Sequence, residues 1–218
     1  MEIHAPHQPI LTLKEAGVHL AIVTVGILIA LSFEGLLERS RHRALVREAR
    51  VNVTAELQNN RQRLARLQGE LGEMKANLDR GLDVLNEVPS PQAAQAAAAL
   101  YRVDQGGVIH NYDIAELSTA SRTTAQMTGA FGLMDYAEAQ KYAAAYDRQE
   151  LFNRVQDQAW TSAMAAFSLG QKLDFQKASP AAVDDARRQL RLAIGTLIIE
   201  EEVAAALAKA YARAMTSD

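Results

Sequence analysis

The chain has 218 residues, of which 49% are hydrophobic, so it is long enough for one domain and apolar enough to form a packed core. The absence of cysteine excludes disulfide frameworks, thiolate metal sites and thiol catalysis. A formal net charge of −3 does not supply the basic surface on which general nucleic-acid binding depends, so we expect no nucleic-acid partner. With only 5 prolines, the composition favours helices and predicts an all-α fold.

Residues 1–15 form a short tail in which His4 and His7 are the only candidate metal ligands. Their HxxH spacing would place two ring nitrogens on one side of a helix, but Pro6 lies between them and no third ligand is close in sequence. We therefore expect no metal site and no cofactor there.

Residues 16–37 are the most apolar stretch of the chain, and no charged residue occurs from Leu20 to Phe33. A helix of about 20 apolar residues spans the hydrocarbon core of a bilayer. The sequence therefore predicts one transmembrane helix with the lipid bilayer as its partner. Residues that mark this span are Gly17, Leu20, Gly26, Ala30 and Phe33.

Two other interpretations of this stretch remain open. It would also be compatible with a core helix of a soluble protein, although such helices are uncommon at a chain terminus. It would also fit a cleaved signal peptide, because Ala30-Leu31-Ser32 has the small-x-small pattern of a cleavage site. Against cleavage, the apolar run exceeds the usual ~7–15 residues. Lys14 is also the only lysine or arginine before it.

Residues 38–56 form an Arg-rich segment directly after the apolar stretch, and its arginines are Arg39, Arg41, Arg43, Arg47 and Arg50. The positive-inside rule places such a segment in the cytoplasm. We therefore expect a membrane protein with a cytoplasmic domain, and a periplasmic domain is the alternative. Arginines nearest the bilayer would contact anionic headgroups.

No proline occurs between Pro9 and Pro89, so we expect one helix from about Ala16 to Glu87 that continues beyond the membrane as a stalk. Leucines recur at intervals of seven along it, at Leu57, Leu64, Leu71, Leu78 and Leu85. This seam is expected to pack against later helices of a bundle domain over residues 57–218. A homotypic coiled coil is the alternative, although Asn60 and Gly81 at intermediate positions weaken it.

Gly26 and Ala30 form a small-xxx-small pair that would let two membrane helices approach closely. At 100° per residue, Gly26 and Leu57 point about 220° apart on a straight helix. The two surfaces therefore do not serve one straight dimer, and we expect at most a weak homodimer through the anchor.

Capping signals divide the rest of the chain into further helices. Ser90-Pro91 predicts a helix that extends to about Val103, and another helix is expected from about Tyr112 to Met127. Asp135 followed by Glu138 resembles a capping box that starts a helix ending near Leu173. Ser179-Pro180 starts the last helix, on which Glu201 is expected at the rim of the apolar stripe. The predicted fold is therefore all-α: one N-terminal transmembrane helix continues into a stalk that packs in an antiparallel helical bundle.

Four segments, EIHAPH, IALSFEG, ERSRHR and TGAFGLMD, resemble a loose set of uncharacterised bacterial single-pass inner-membrane proteins with a short tail containing histidine and proline. The resemblance covers mostly the first 60 residues and one internal turn. It implies a bacterial inner-membrane location and an all-helical domain, and it carries no functional residue over to this chain.

Catalytic signatures are absent from the sequence: there is no GxGxxG, Walker A, HExxH or GxSxG motif. His110 near Asp113, and the run Glu200-Glu201-Glu202, are expected to be polar surface. We therefore predict a non-enzymatic membrane-anchored interaction or scaffold protein with a protein partner. The alternative is a ligand-sensing helical domain that acts through a membrane partner, since helical bundles can hold small molecules. A hydrolase with a site assembled from distant residues is the least favoured class.

Overall fold

A computed structural model describes residues 13–104, 114–172 and 178–216, and every regular element in these ranges is helical. The predicted all-α class is confirmed, as is the long N-terminal helix that packs against others. The helices are α1 (Leu13–Glu87), α2 (Ala93–Asp104), α3 (Ala120–Met127), α4 (Ala130–Leu133), α5 (Tyr136–Lys172) and α6 (Pro180–Met215), with a 3-10 turn at Ser90–Gln92.

The chain divides into two compact units, Met1–Glu48 and Ala49–Asp218. In the first unit, helix α1 exposes nearly all its described side chains. The hydroxyls of Thr24 and Ser32 donate to the carbonyls one turn back, at 2.8 and 2.7 Å, so the helix satisfies these polar groups itself.

The second unit begins at Ala49, eight residues before the expected start of the bundle domain. Ala49 and Val53 are already buried within it.

All five seam leucines are at most 2% exposed, and the intermediate positions Asn60, Leu67, Met74 and Gly81 are buried as well. Because this burial occurs within a single chain, other helices of the same chain cover the seam.

Helices α1 and α5 run in the same direction. Their hydrogen-bonded partners keep a nearly constant separation of 88 to 90 residues: Arg50 with Glu138, Thr54 with Tyr142, Glu56 with Tyr146, and Asn60 with Gln149.

Helix α6 runs opposite to α1. Near its start, Arg187 donates to the carbonyls of Leu85 and Val88, which lie at the end of α1. Near its end, Tyr211 donates to Gln149, the same side chain that accepts from Asn60 of α1. The Arg187 guanidinium thus satisfies carbonyl groups that the C-terminal turn of α1 leaves without helical partners.

The capping predictions for the two longest later helices are confirmed. Asp135 Oδ1 accepts from the backbone N–H groups of Ala137 and Glu138 at the start of α5, at 2.9 and 3.3 Å. Ser179 Oγ accepts from the N–H of Ala182 at the start of α6, at 3.2 Å.

Three predicted details differ from the structure. The helix expected from about Tyr112 begins only at Ala120, because the irregular segment 114–119 is held by side chains of other helices. The break after Met127 contains the short helix α4, which follows Gly129 at φ 74°, in the left-handed region that glycine adopts without strain. On α6, the run Glu200-Glu201-Glu202 is expected to be polar surface, but Glu200 is buried and only Glu201 and Glu202 are exposed.

Replacing a seam leucine should destabilise the second unit because it leaves a cavity. We expect Leu64→Ala to lower the free energy of unfolding by about 2–5 kcal/mol. Urea unfolding of the detergent-solubilised protein, followed by fluorescence of the single tryptophan, measures this change. Val51→Ala, at an exposed position of the same helix, is the matched control. Equal stability of the two variants would contradict the burial of the seam.

Candidate functional site

Segment 114–119 is fixed by amide side chains that replace the backbone partners it would have in a helix. Asn60 binds both backbone groups of Ser118: its Oδ1 accepts from the Ser118 N–H at 2.9 Å and its Nδ2 donates to the Ser118 carbonyl at 2.8 Å. Gln149 Nε2 donates to the Leu117 carbonyl at 3.1 Å, and Gln156 Oε1 accepts from the Ala115 N–H at 2.9 Å. Buried backbone groups need such partners, which explains why this segment is ordered without being helical.

Glu56 is the charged centre of the same network and is only 7% exposed. Its Oε1 accepts from the Tyr146 hydroxyl at 2.6 Å, and its Oε2 accepts from Ser118 Oγ at 2.7 Å and from the Ser121 N–H at 2.8 Å. Because Ser121 lies in the first turn of α3, the carboxylate of Glu56 satisfies a free N–H of that helix. Burial raises the pKa of Glu56, but these hydrogen bonds outweigh burial and hold its pKa below the usual value.

Two tyrosines complete the network in their protonated form. Burial, reinforced by the Glu56 carboxylate, raises the pKa of both Tyr146 and Tyr211 above the usual value. Tyr211 donates to Gln149 Oε1 at 2.7 Å, and the Arg122 guanidinium lies 5.3 Å from the ring centre of Tyr146. Each of these side chains has a polar partner within the protein, so the network stabilises one arrangement of the helices.

A cavity of about 530 Å³ lies beside this network, between α1, α5 and the start of segment 114–119. Charged and apolar residues both line it: Arg63, Arg66, Leu67, Glu70, Ile114, Ala115, Glu116 and Trp160. Arg63 donates to the backbone carbonyl of Glu116 and so fixes that part of the wall.

Glu70 is the residue of this cavity whose hydrogen bonding is incomplete. Its Oε2 is buried and accepts no hydrogen bond from any described residue. Arg66 precedes it by four residues, a spacing that favours an ion pair on a helix, yet no ion pair joins them within the described ranges. An unsatisfied buried acceptor costs about 1–3 kcal/mol, so this oxygen calls for an explanation.

A second cavity, of about 250 Å³, lies where α3, α4 and α5 meet. Its lining is mostly apolar and includes Phe131, Tyr136 and Ala143. Neighbouring Met127 is 83% exposed. This corner therefore presents mainly apolar surface, with Arg122 as a charged residue at its lining.

The residues predicted for the membrane and the juxtamembrane segment fall into two groups. Gly17, Leu20, Gly26, Ala30 and Phe33 are exposed on α1, as are Arg39, Arg41, Arg43 and Arg47. Arg50 differs from the other arginines, because its Nε and Nη2 donate to the two oxygens of Glu138 at 2.6 and 2.8 Å. This bidentate pair lowers the pKa of Glu138 and belongs to the second unit.

The sequence did not reveal the polar network or the cavity. Asn60 at a seam position was the one available signal, because an amide in an apolar stripe needs a partner. Arg63 and Arg66 are exposed, and both line the first cavity. His4, His7, His110 and Asp113 lie outside the described residues. Within the described ranges, no three histidine or acidic side chains come together as a metal site.

No protein-family model, curated protein or solved structure matches this chain.

The Glu56 network should make the second unit sensitive to acid. The pKa of Glu56 is lower in the folded state than the ordinary carboxyl value of 4.5, so its stabilisation is complete above that value. It is lost as the pH falls through the lower folded pKa. We expect Glu56→Gln to be less stable than wild type at pH 7 by about 1–3 kcal/mol, because three N–H or O–H donors lose a charged acceptor.

Urea unfolding at a series of pH values between 7 and 3 measures this effect. The difference between wild type and Glu56→Gln should shrink toward low pH, where wild-type Glu56 also becomes protonated. Glu73→Gln, which neutralises an exposed carboxylate of the same helix, is the control and should show no such convergence. A difference that stays constant over this range would show that the charge of Glu56 has no role.

Proposed function

We propose that this protein is anchored in a membrane by residues 16–37. The observation that carries the proposal is the exposure of this stretch: an 18-residue window has a mean hydropathy of 2.3, and none of it is buried. Among the described residues, α1 is the only helix long and apolar enough to cross a bilayer. A core helix of a soluble protein would be covered by neighbours, whereas here the apolar side chains have none, and lipid would cover them.

We infer the orientation of the chain in the membrane from the exposed arginines that follow the apolar stretch. The arginines from Arg39 to Arg47 are exposed and would lie beside the headgroups, with the second unit on the cytoplasmic side of a bacterial inner membrane. The leucine seam is buried within one chain and is therefore not available for a coiled coil between two chains. Any homodimer would be weak and would form through the anchor, at Gly26 and Ala30.

We assign the second unit a non-enzymatic role as an interaction or scaffold domain with a protein partner. Support comes from its engaged polar core, which leaves no free catalytic group at Glu56, and from large apolar side chains on its surface. They include Met127 (83%), Tyr136 (76%), Val51 (61%), Leu192 (55%) and Ile199 (53%). Leu192 and Ile199 are seven residues apart on α6 and so share one of its faces, and exposed apolar surface of this kind is typical of proteins that bind other proteins.

A second candidate function is ligand sensing through a membrane partner. The specific observation in its favour is the cavity beside Glu70, whose volume of about 530 Å³ falls in the range of small-molecule sites. A sensor of this kind would act through a membrane partner.

The membrane proposal predicts that the full chain resists extraction by alkaline carbonate, and that a variant lacking residues 16–37 becomes soluble. The reason is that the deleted segment supplies the apolar surface that lipid covers. Immunoblotting of membrane and soluble fractions measures the distribution. Mass spectrometry of the membrane-bound form should find the intact N-terminus, whereas cleavage after Ser32 would contradict the anchor in favour of a signal peptide.

The same preparation reports the side of the membrane. Because the chain has no cysteine, Asp147→Cys introduces a single exposed thiol on α5. A membrane-impermeant maleimide should label it only after the cells are lysed. Labelling in cells whose inner membrane is intact would place the second unit in the periplasm.

The interaction proposal predicts contacts at the exposed apolar positions. A photo-crosslinking phenylalanine analogue in place of Ile199 or Met127 should yield a discrete adduct to another protein in intact membranes. The same analogue in place of Gln158, an exposed polar residue on α5, is the control and should yield none. Absence of an adduct at both apolar positions, or identical adducts at all three, would contradict a specific protein partner.

A further inference from the structure

The cavity beside Glu70 combines groups of opposite charge with an apolar wall. Arg63 and Arg66 contribute guanidinium groups, and Glu70 and Glu116 contribute carboxylates, so the formal charge of the lining is zero. We infer that this cavity binds a small zwitterion with an apolar body, namely an apolar amino acid or a short apolar peptide. The inference rests on the ligand-sensing candidate above and names its ligand class.

Arg66 is the group that would receive the ligand carboxylate. It lines the cavity and forms no ion pair or hydrogen bond with a described residue. Arg63, one turn earlier on the same face, is already directed at the carbonyl of Glu116, which leaves part of its donor fork for a second acceptor. A planar guanidinium binds a carboxylate through two parallel hydrogen bonds, which orients the ligand as well as attracting it.

Glu70 is the group that would receive the ligand ammonium. Its Oε2 is buried without a hydrogen-bond donor among the described residues, and an ammonium supplies three donors. Glu70 lines the cavity, so an ammonium group inside it would donate to this carboxylate, and the positive charge of the ammonium is opposite to the charge of Glu70.

A zwitterion fits the cavity better than a ligand with a single charge. A simple anion would engage Arg66 but would meet the Glu70 and Glu116 carboxylates and leave Glu70 Oε2 unsatisfied. A simple cation would satisfy Glu70 but face two guanidinium groups. Because Arg66 and Glu70 are four residues apart on α1 and are not paired with each other, a ligand carrying both charges can bridge them.

The apolar wall determines the body of the ligand. Leu67 is buried, and Ile114 and Trp160 line the cavity with surface that is still partly accessible. A volume of about 530 Å³ holds an amino acid with a large side chain and leaves room for a second residue, which is why both amino acids and short peptides belong to the class.

Isothermal titration calorimetry on the full chain in detergent tests the inference with defined probes. L-Phenylalanine and the dipeptide L-leucyl-L-phenylalanine carry both charges, 3-phenylpropionate carries only the carboxylate, and 2-phenylethylamine carries only the ammonium. We expect at least one of the two zwitterions to bind about tenfold or more tightly than either singly charged analogue, because each lost charge-assisted hydrogen bond costs at least that factor. The fluorescence of Trp160, which lines the cavity, should change with the same saturation curve.

Substitutions test which side chain binds the carboxylate of the ligand and which binds its ammonium group. Glu70→Gln should weaken zwitterion binding about tenfold or more and leave 3-phenylpropionate binding unchanged or tighter, whereas Arg66→Gln should weaken both. Arg61→Gln and Glu73→Gln change exposed residues of the same helix outside the cavity and should preserve binding. Absence of saturable binding by both zwitterions would overturn the inference. Binding of 3-phenylpropionate as tight as that of the zwitterions, unaffected by Glu70→Gln, would also overturn it while leaving a ligand-binding domain in place.

Discussion

The second unit depends on one constraint, the burial of the polar side chains Glu56 and Asn60 of α1 against α5 and segment 114–119. Glu56 is a charged group in an apolar seam, and a buried charge is tolerated only when hydrogen bonds compensate its lost hydration. Here the compensation comes from three directions: the Tyr146 hydroxyl on α5, the Ser118 hydroxyl on the irregular segment, and a backbone N–H at the start of α3. Each of these elements must therefore take its observed position for Glu56 to remain charged.

Asn60 extends the same constraint by one turn. Its amide binds both backbone groups of Ser118 and also donates to Gln149, which in turn accepts from Tyr211 of α6. Apolar contacts alone would allow the helices to slide or rotate with little change in energy, whereas a chain of directional hydrogen bonds is satisfied in only one register. The parallel placement of α1 and α5 is one consequence of this register.

The two cavities follow from how segment 114–119 and the α3–α4 corner are attached. Side chains that hold segment 114–119 to α1 and α5 leave space between Arg63, Glu70 and Trp160. Arg66 and Glu70 in this space form no ion pair with a residue that the structure describes, in contrast to the hydrogen-bonded network a few residues away. The polar groups of that network are satisfied within the protein. This contrast is the physical basis for separating the structural role of Glu56 from the binding role proposed for Glu70.

Local physics in the sequence determined the helical class, the extent of α1, and the starts of α5 and α6. Proline-free apolar periodicity and the caps Asp135 and Ser179 act within a few residues, so they are readable without the fold. The seam leucines were also readable, because a seven-residue period keeps them on one side of a helix. Only the tertiary structure decided that 114–119 is not helical, that α1 and α5 are parallel, and that Arg66 and Glu70 meet at a cavity. These features depend on contacts between residues about 40 to 90 positions apart, and their energies come from partners that sequence periodicity does not identify.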